Sequence, residues 1–88
     1  MSYKIMRFTA SWCGPCKILA KNLDQTELEL PIKVVDIEEE QQITQQYRVR
    51  AVPTMIIVDE NGDVCGTPLV GLKTNLEIKK WIKEIING

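Results

Sequence analysis

Apolar side chains occur along this chain in short groups, and their spacing switches between strand and helix periods. Tyr3 to Thr9 sets Ile5, Met6 and Phe8 among Lys4 and Arg7 and predicts a first strand. Cys16, Leu19, Ala20 and Leu23 repeat at i, i+3, i+4 and i+7, which predicts a helix from Cys16 to Leu23. Lys17 and Lys21 fall on its solvated face. Pro31 breaks the chain after that element, and the β-branched run Ile32 to Ile37 predicts a second strand. A right-handed crossover makes it parallel to the first. Glu38-Glu39-Glu40 reads as the acidic first turn of a second helix, where carboxylates complement the dipole. That helix has a thin apolar face, Ile43 and Tyr47, and a surface of Gln41, Gln42, Gln45 and Gln46.

Val52-Pro53 leads into the apolar strand Thr54 to Val58, a position where a strand tolerates proline. Asp59-Glu60-Asn61-Gly62 is a hairpin turn, so the strand from Asp63 to about Gly66 runs antiparallel to it. Gly66, Thr67 and Pro68 interrupt that strand, which suits an edge or a bulge. Thr74-Asn75-Leu76-Glu77 forms a capping box ahead of a helical stripe of Ile78, Trp81, Ile82 and Ile85, with Trp81 in the core. The predicted order is β-α-β-α-β-β-α without repeats or a linker, an α/β fold in one domain over residues 1–88.

Composition narrows the class. Eighty-eight residues bury a limited core, and 44% apolar with 26% charged residues is ordinary for a globular protein. A net charge of −1 supplies no basic field, so nucleic acid is not favoured as a partner. Three cysteines are too few, and odd in number, for a disulfide scaffold. Lys4 and Arg7 inside the first apolar run argue against a signal peptide. No stretch approaches membrane-spanning length, so the default expectation is a cytoplasmic protein with no membrane partner.

The chemistry concentrates in Trp12-Cys13-Gly14-Pro15-Cys16-Lys17, between the first strand and the first helix. Two cysteines in that setting predict a redox pair. A two-residue gap at a helix start lets the sulfurs approach bonding distance. The helix N-terminus offers unpaired N–H groups and a positive dipole end, which favour a thiolate on Cys13. Pro15 has no N–H to lose there, and Gly14 leaves the first sulfur uncovered. Cys13 is accordingly expected to be exposed and acidic, with Cys16 buried behind it. Half of a zinc site is the competing reading, but the chain has no histidine and one other cysteine, Cys65, so it cannot complete such a site alone. Trp12 is expected to shield the cysteine and offer a docking surface, and Cys65 to be a small hydrophobe.

With Tyr47-Arg48-Val49-Arg50-Ala51-Val52-Pro53-Thr54, Asn61-Gly62 and Val70-Gly71, the Trp12–Lys17 segment resembles the thioredoxin family over nearly the whole chain from Lys4 onward. The family's N-terminal strand and helix have no counterpart, so the likeness is to a shortened, glutaredoxin-sized thioredoxin. It implies the minimal thioredoxin fold, a four-stranded mixed sheet with helices on both faces. It also implies a protein thiol–disulfide oxidoreductase with Cys13 as nucleophile and Cys16 as resolving thiol. Substrate would meet Trp12, Gly14, Pro15, Gly71 and the backbone of Val52 and Pro53, across a cis peptide before Pro53. No metal or other cofactor is implied. The expected partners of this monomer are disulfide-bearing proteins and a thioredoxin reductase or small thiol. A glutathione-dependent glutaredoxin activity, a non-catalytic binding subunit and an iron–sulfur cluster shared across a dimer are the alternatives. The chain departs from the family at Lys21, where a helix-kinking proline is usual, and at Arg7 and Val34, which replace an acid–base pair. Arg7 is expected either to reach the surface or to pair with Asp36 or Glu38.

Overall fold

β1 (Lys4–Thr9) is the strand on which the rest assembles. In the computed structural model, which describes residues 2–88, it is followed by α1 (Gly14–Asp24), β2 (Ile32–Asp36) and α2 (Gln41–Gln46). β3 (Thr54–Val58), β4 (Val64–Val70) and α3 (Asn75–Asn87) complete the order. The sheet runs β2-β1-β3-β4. β1 and β2 are parallel, whereas the β1–β3 and β3–β4 pairs are antiparallel.

Strand side chains alternate between the two faces, so a strand covered on both sides carries an unbroken apolar run. Ile5 packs with Met55 and Ile57 against Leu19 and Leu23 of α1 and Ile78, Trp81 and Ile82 of α3. Met6 and Phe8 point the other way and join Val35, Ile56 and Val58, with Ile43 and Tyr47 packed over them from the α2 side. A fully buried side chain of this size contributes about 1.5–3 kcal/mol. The α1/α3 face therefore carries more of the apolar stabilisation than the face under the six-residue α2.

Two expectations fail locally. Glu38 and Glu39 do not enter a helix. The Asp36 carboxylate accepts their backbone N–H groups at 2.8 and 3.2 Å, which holds the chain in a turn until Glu40, and α2 starts only at Gln41. A short acidic side chain that satisfies nearby N–H groups competes with the helix in this way. Likewise β4 does not stop at Gly66 but runs on through Thr67 and Pro68 to Val70, with a register irregularity between Met55 and Ile57. It survives proline because it pairs on one side only, so the missing donor removes no second ladder.

α2 ends with Arg48 in the left-handed region, at φ 55°, while its N–H bonds to the Gln45 carbonyl and that of Val49 to the Thr44 carbonyl. This is the six-to-one closure that glycine usually completes. Tyr47 then anchors the helix end, donating its hydroxyl to the Gly62 carbonyl at 2.7 Å and meeting Phe8 edge to face.

α3 carries the predicted capping box. The Glu77 N–H donates to the Thr74 hydroxyl at 3.1 Å, and the Thr74 N–H returns a bond to the Glu77 carboxylate at 3.2 Å. Trp81 is buried and donates its indole N–H to the Thr67 carbonyl at 2.8 Å, tying α3 to β4. Gly66, the residue before Thr67 on β4, faces Ile85 of α3. Its φ is +74°, and a Cβ there would sit 2.6 Å from Cγ1 of Ile85.

Gly66→Ala should therefore destabilise by about 1–3 kcal/mol, through left-handed strain and overpacking together. Urea unfolding measures the loss, and an unchanged midpoint would contradict this packing. A second expectation concerns pH. Hydrogen bonds from the Thr74 backbone and then its hydroxyl hold the Glu77 carboxyl below the usual range. A depressed carboxyl pKa stabilises above the unfolded value, about 4.3, and that contribution fades as pH falls through the folded value. The stability gap between wild type and Glu77→Gln should be full at neutral pH and close in acid. A gap independent of pH would show that the carboxylate charge is idle.

Candidate active site

The site begins where β1 ends. Beyond Thr9 the chain turns through Ala10, Ser11 and Trp12, the Cys13 N–H bonding back to the Ala10 carbonyl at 3.2 Å. Cys13 has extended backbone geometry, φ −91° and ψ 107°, and serves as N-cap of α1. Pro15 occupies the first turn, where its missing N–H forfeits nothing. The helix thus starts at Gly14, ahead of the Cys16 that apolar spacing alone marks.

The cap is a sulfur. The Cys16 N–H donates to Sγ of Cys13 at 3.2 Å. One of the orphan donors of a helix start therefore points at the atom that carries charge in a thiolate. Cys13 and Cys16 are joined as a disulfide, their Cα atoms 5.2 Å apart. That separation lies inside the range a disulfide requires.

The two sulfurs differ less in exposure than expected. Cys13 is 4% exposed and Cys16 1%. Cys13 is buried because Ala10 packs beside it, with Val52 and Ile37 over the same cluster. What separates the cysteines is hydrogen bonding, since Cys13 receives the helix N–H and Cys16 supplies it.

A distant segment closes the site. The Val52–Pro53 peptide is cis, and the Val52 carbonyl oxygen lies 3.8 Å from Sγ of Cys13. Pro53 is fully buried and its carbonyl accepts the Gly71 N–H at 2.8 Å, so the end of β4 is bound to the same segment. Thr54 braces the approach by donating its hydroxyl to the Ala51 carbonyl at 2.6 Å. Gly71 has φ +92° with open space around it, so backbone conformation, not crowding, calls for glycine. Gly14 also faces open space. Trp12 is 65% exposed beside the disulfide.

The structure therefore brings together Trp12, Cys13, Gly14, Pro15, Cys16, Val52, Pro53 and Gly71 at one end of the sheet. Sequence reasoning missed Ala10 and Ile37, which wall the sulfurs. Ala10 offers no periodic signal inside a short loop, and Ile37 reads simply as the last residue of a strand that in fact ends at Asp36. Among the described residues, no group of three or more His, Cys, Asp or Glu is placed to hold a metal.

Arg7 takes neither expected course. It is 9% exposed, its buried Nε has no hydrogen-bond partner among the described residues, and it pairs with neither Asp36 nor Glu38. Burial lowers its pKa, and the charge that opposes this is Asp24, the last residue of α1. Its neighbour across β1–β2 is Val34, half exposed and unable to ionise.

Cys65 sits on β4 opposite Ile57, five residues before Val70, or about 16 Å along an extended strand from the Gly71 end. Burial, then the carboxylates of Asp59, Asp63 and Glu60, push its thiol pKa up, and Sγ donates to the Asp63 carbonyl at 3.6 Å. A thiol held protonated is a poor nucleophile. Cys65→Ala should therefore keep wild-type turnover in a disulfide-reduction assay. A large loss, or a Cys65 disulfide in the oxidised protein, would contradict its placement outside the site.

The Thioredoxin family model matches residues 2–84. The thioredoxin of Buchnera aphidicola is 37% identical over 90 residues, covering 98% of this chain and 82% of the relative. That of Bacillus subtilis is 33% identical, covering 91% and 75%. Mitochondrial thioredoxin of Mus musculus is 36% identical, and there the chain spans only 51% of the relative. Among solved structures, a variant of the thioredoxin from Halobacterium salinarum superposes with a TM-score of 0.83 at 27% identity, covering 96% of this chain and 74% of that one.

Proposed function

The chain belongs to the thioredoxin family and is a thiol–disulfide oxidoreductase, and on that premise we propose that Cys13 and Cys16 carry its exchange chemistry. The observation that supports the assignment is the Cys16 N–H on Sγ of Cys13, at the start of α1. In the reduced protein the same donor and the helix dipole stabilise a Cys13 thiolate. The thiolate attacks one sulfur of a substrate disulfide, forming a mixed disulfide and releasing the other substrate sulfur as thiolate. Cys16, deprotonated, then attacks Sγ of Cys13, closing the internal disulfide and releasing the second substrate sulfur. Two electrons pass from the dithiol to the substrate, and the released thiolates take up protons.

Trp12, Gly14, Pro15 and Gly71 form the proposed substrate surface, with the Val52–Pro53 backbone as the edge along which a substrate chain lies. Open space at Gly14 and Gly71 supports this, because substrate can approach both without meeting a side chain. Disulfide-bearing proteins are the substrates in this reading. Thioredoxin reductase returns the electrons, acting on a monomer in a reducing, cytoplasmic setting. No helix among the described residues is long and apolar enough to cross a membrane.

The test is trapping. Cys16→Ser should accumulate a mixed disulfide through Cys13 with a protein disulfide substrate, while Cys13→Ser should form none. Trapping that needs Cys13→Ser and runs through Cys16 would reverse the roles. Reduction by glutathione with glutaredoxin-like rates, and not by an NADPH-coupled thioredoxin reductase, would replace the proposed reductant.

A further inference from the structure

β4 is an edge strand with one covered face. Leu69 and Cys65 point toward α1 and α3, where they pack on the main cluster. On the other face Val70 lies opposite Thr54 and Val64 opposite Val58, and neither is among the residues of the cluster beneath α2. Val70 is 52% exposed and Val64 44%, with Pro68 exposed between them. A groove of about 540 Å³ elsewhere, over Tyr3 and Lys4, lies at the opposite end of the sheet from the disulfide. A smaller groove, about 240 Å³, lies between the loop before Pro53 and β4, next to the site. Its apolar lining includes Val49, Ile56, Pro68 and Val70.

The charged side chains lining it are Arg48 and Arg50, both exposed, and neither makes an ion pair among the described residues. Arg48 is also in the wrong backbone state for its type. At φ 55° it closes α2 where glycine would cost less, since the left-handed region penalises a side chain by about 1–2 kcal/mol. Local stability thus does not account for an arginine at this position. Arginine presents a planar fork of donors suited to carboxylates, and its stem lies well against apolar surface.

We propose that this groove is a specificity subsite for the segment of a disulfide substrate that flanks the reacting cysteine. The segment it fits is extended and apolar, with an Asp or Glu that meets Arg48 or Arg50. The proposal rests on the exchange chemistry assigned to Cys13. The groove adjoins that site through chain neighbours: Ala51 precedes Val52, which touches Cys13, and Val70 precedes Gly71, whose N–H is bound to the Pro53 carbonyl. At about 3.3 Å per residue, three to four extended residues span about 10–13 Å, and these are the substrate positions assigned to the carboxylate.

The test uses the intact reduced protein and two synthetic disulfide peptides. They are identical except that the residues three and four positions from the cysteine are Glu in one and Lys in the other. Stopped-flow fluorescence of Trp12 and Trp81 reads the rate of each. The acidic peptide should react about tenfold faster at low ionic strength, because opposite charge raises the encounter rate. Added salt should shrink that ratio by screening. Arg50→Glu should invert the preference. Arg48→Gly should lower the ratio while thermal unfolding shows a protein no less stable than wild type, which separates lost docking from lost fold. Equal rates for the two peptides, or an unaltered ratio in both variants, would overturn the subsite and leave the exchange chemistry standing. Failure of the wild-type protein to reduce either peptide, or neutral hydroxyethyl disulfide, would overturn both readings.

Discussion

Everything in this molecule depends on burying β1 on both faces and pairing it on both edges. β1 takes β2 in parallel and β3 antiparallel, so its backbone donors and acceptors are used on both sides. Its side chains alternate into two separate clusters, which is why α1 and α3 lie on one face and α2 on the other. The exit from β1 is consequently held in place, and so is the turn that presents Cys13 to the first N–H groups of α1. A cap built on a loose strand would lose that alignment.

The site is a junction of three chain segments held by few bonds. One supplies the two cysteines, one the cis Val52–Pro53 peptide, and one Gly71. The Gly71–Pro53 hydrogen bond and the contact of Val52 with Cys13 join them. None of these links depends on an ionised side chain. The local electrostatics near the sulfurs come from the helix start, whose N–H groups and dipole keep their orientation at any pH where α1 is folded.

Arg7 shows what this arrangement tolerates. A guanidinium at 9% exposure with an unpartnered Nε is costly, and the attraction of Asp24 offsets only part of that cost. Asp24 closes α1 at the end away from Cys16. The charge that acts on Arg7 thus sits in the last residue of α1, at the opposite end of the helix from the N-cap at Cys13. Arginine stays protonated in proteins, so it cannot relay a proton, and Val34 across the ladder cannot either.

The order of elements, the redox pair, the capping box at Thr74 and the hairpin at Asn61-Gly62 were legible in the sequence because each depends on contacts a few residues apart. Periodicity, cap chemistry and turn residues act at that range. The sequence also marked β4 as irregular, through Gly66 and Pro68. It could not show that the strand continues, because that depends on β3 pairing with it and on having no neighbour beyond. Tertiary structure alone decided the rest. It buried Cys13 beneath Val52 and Ala10, turned Asp36 onto its own following backbone, and set Arg7 toward Asp24. It also left Pro68 and Val70 exposed in one groove with Arg48 and Arg50, which make no ion pair among the described residues. These outcomes depend on which distant surfaces meet, and a linear pattern records which residues want burial without recording which partner provides it.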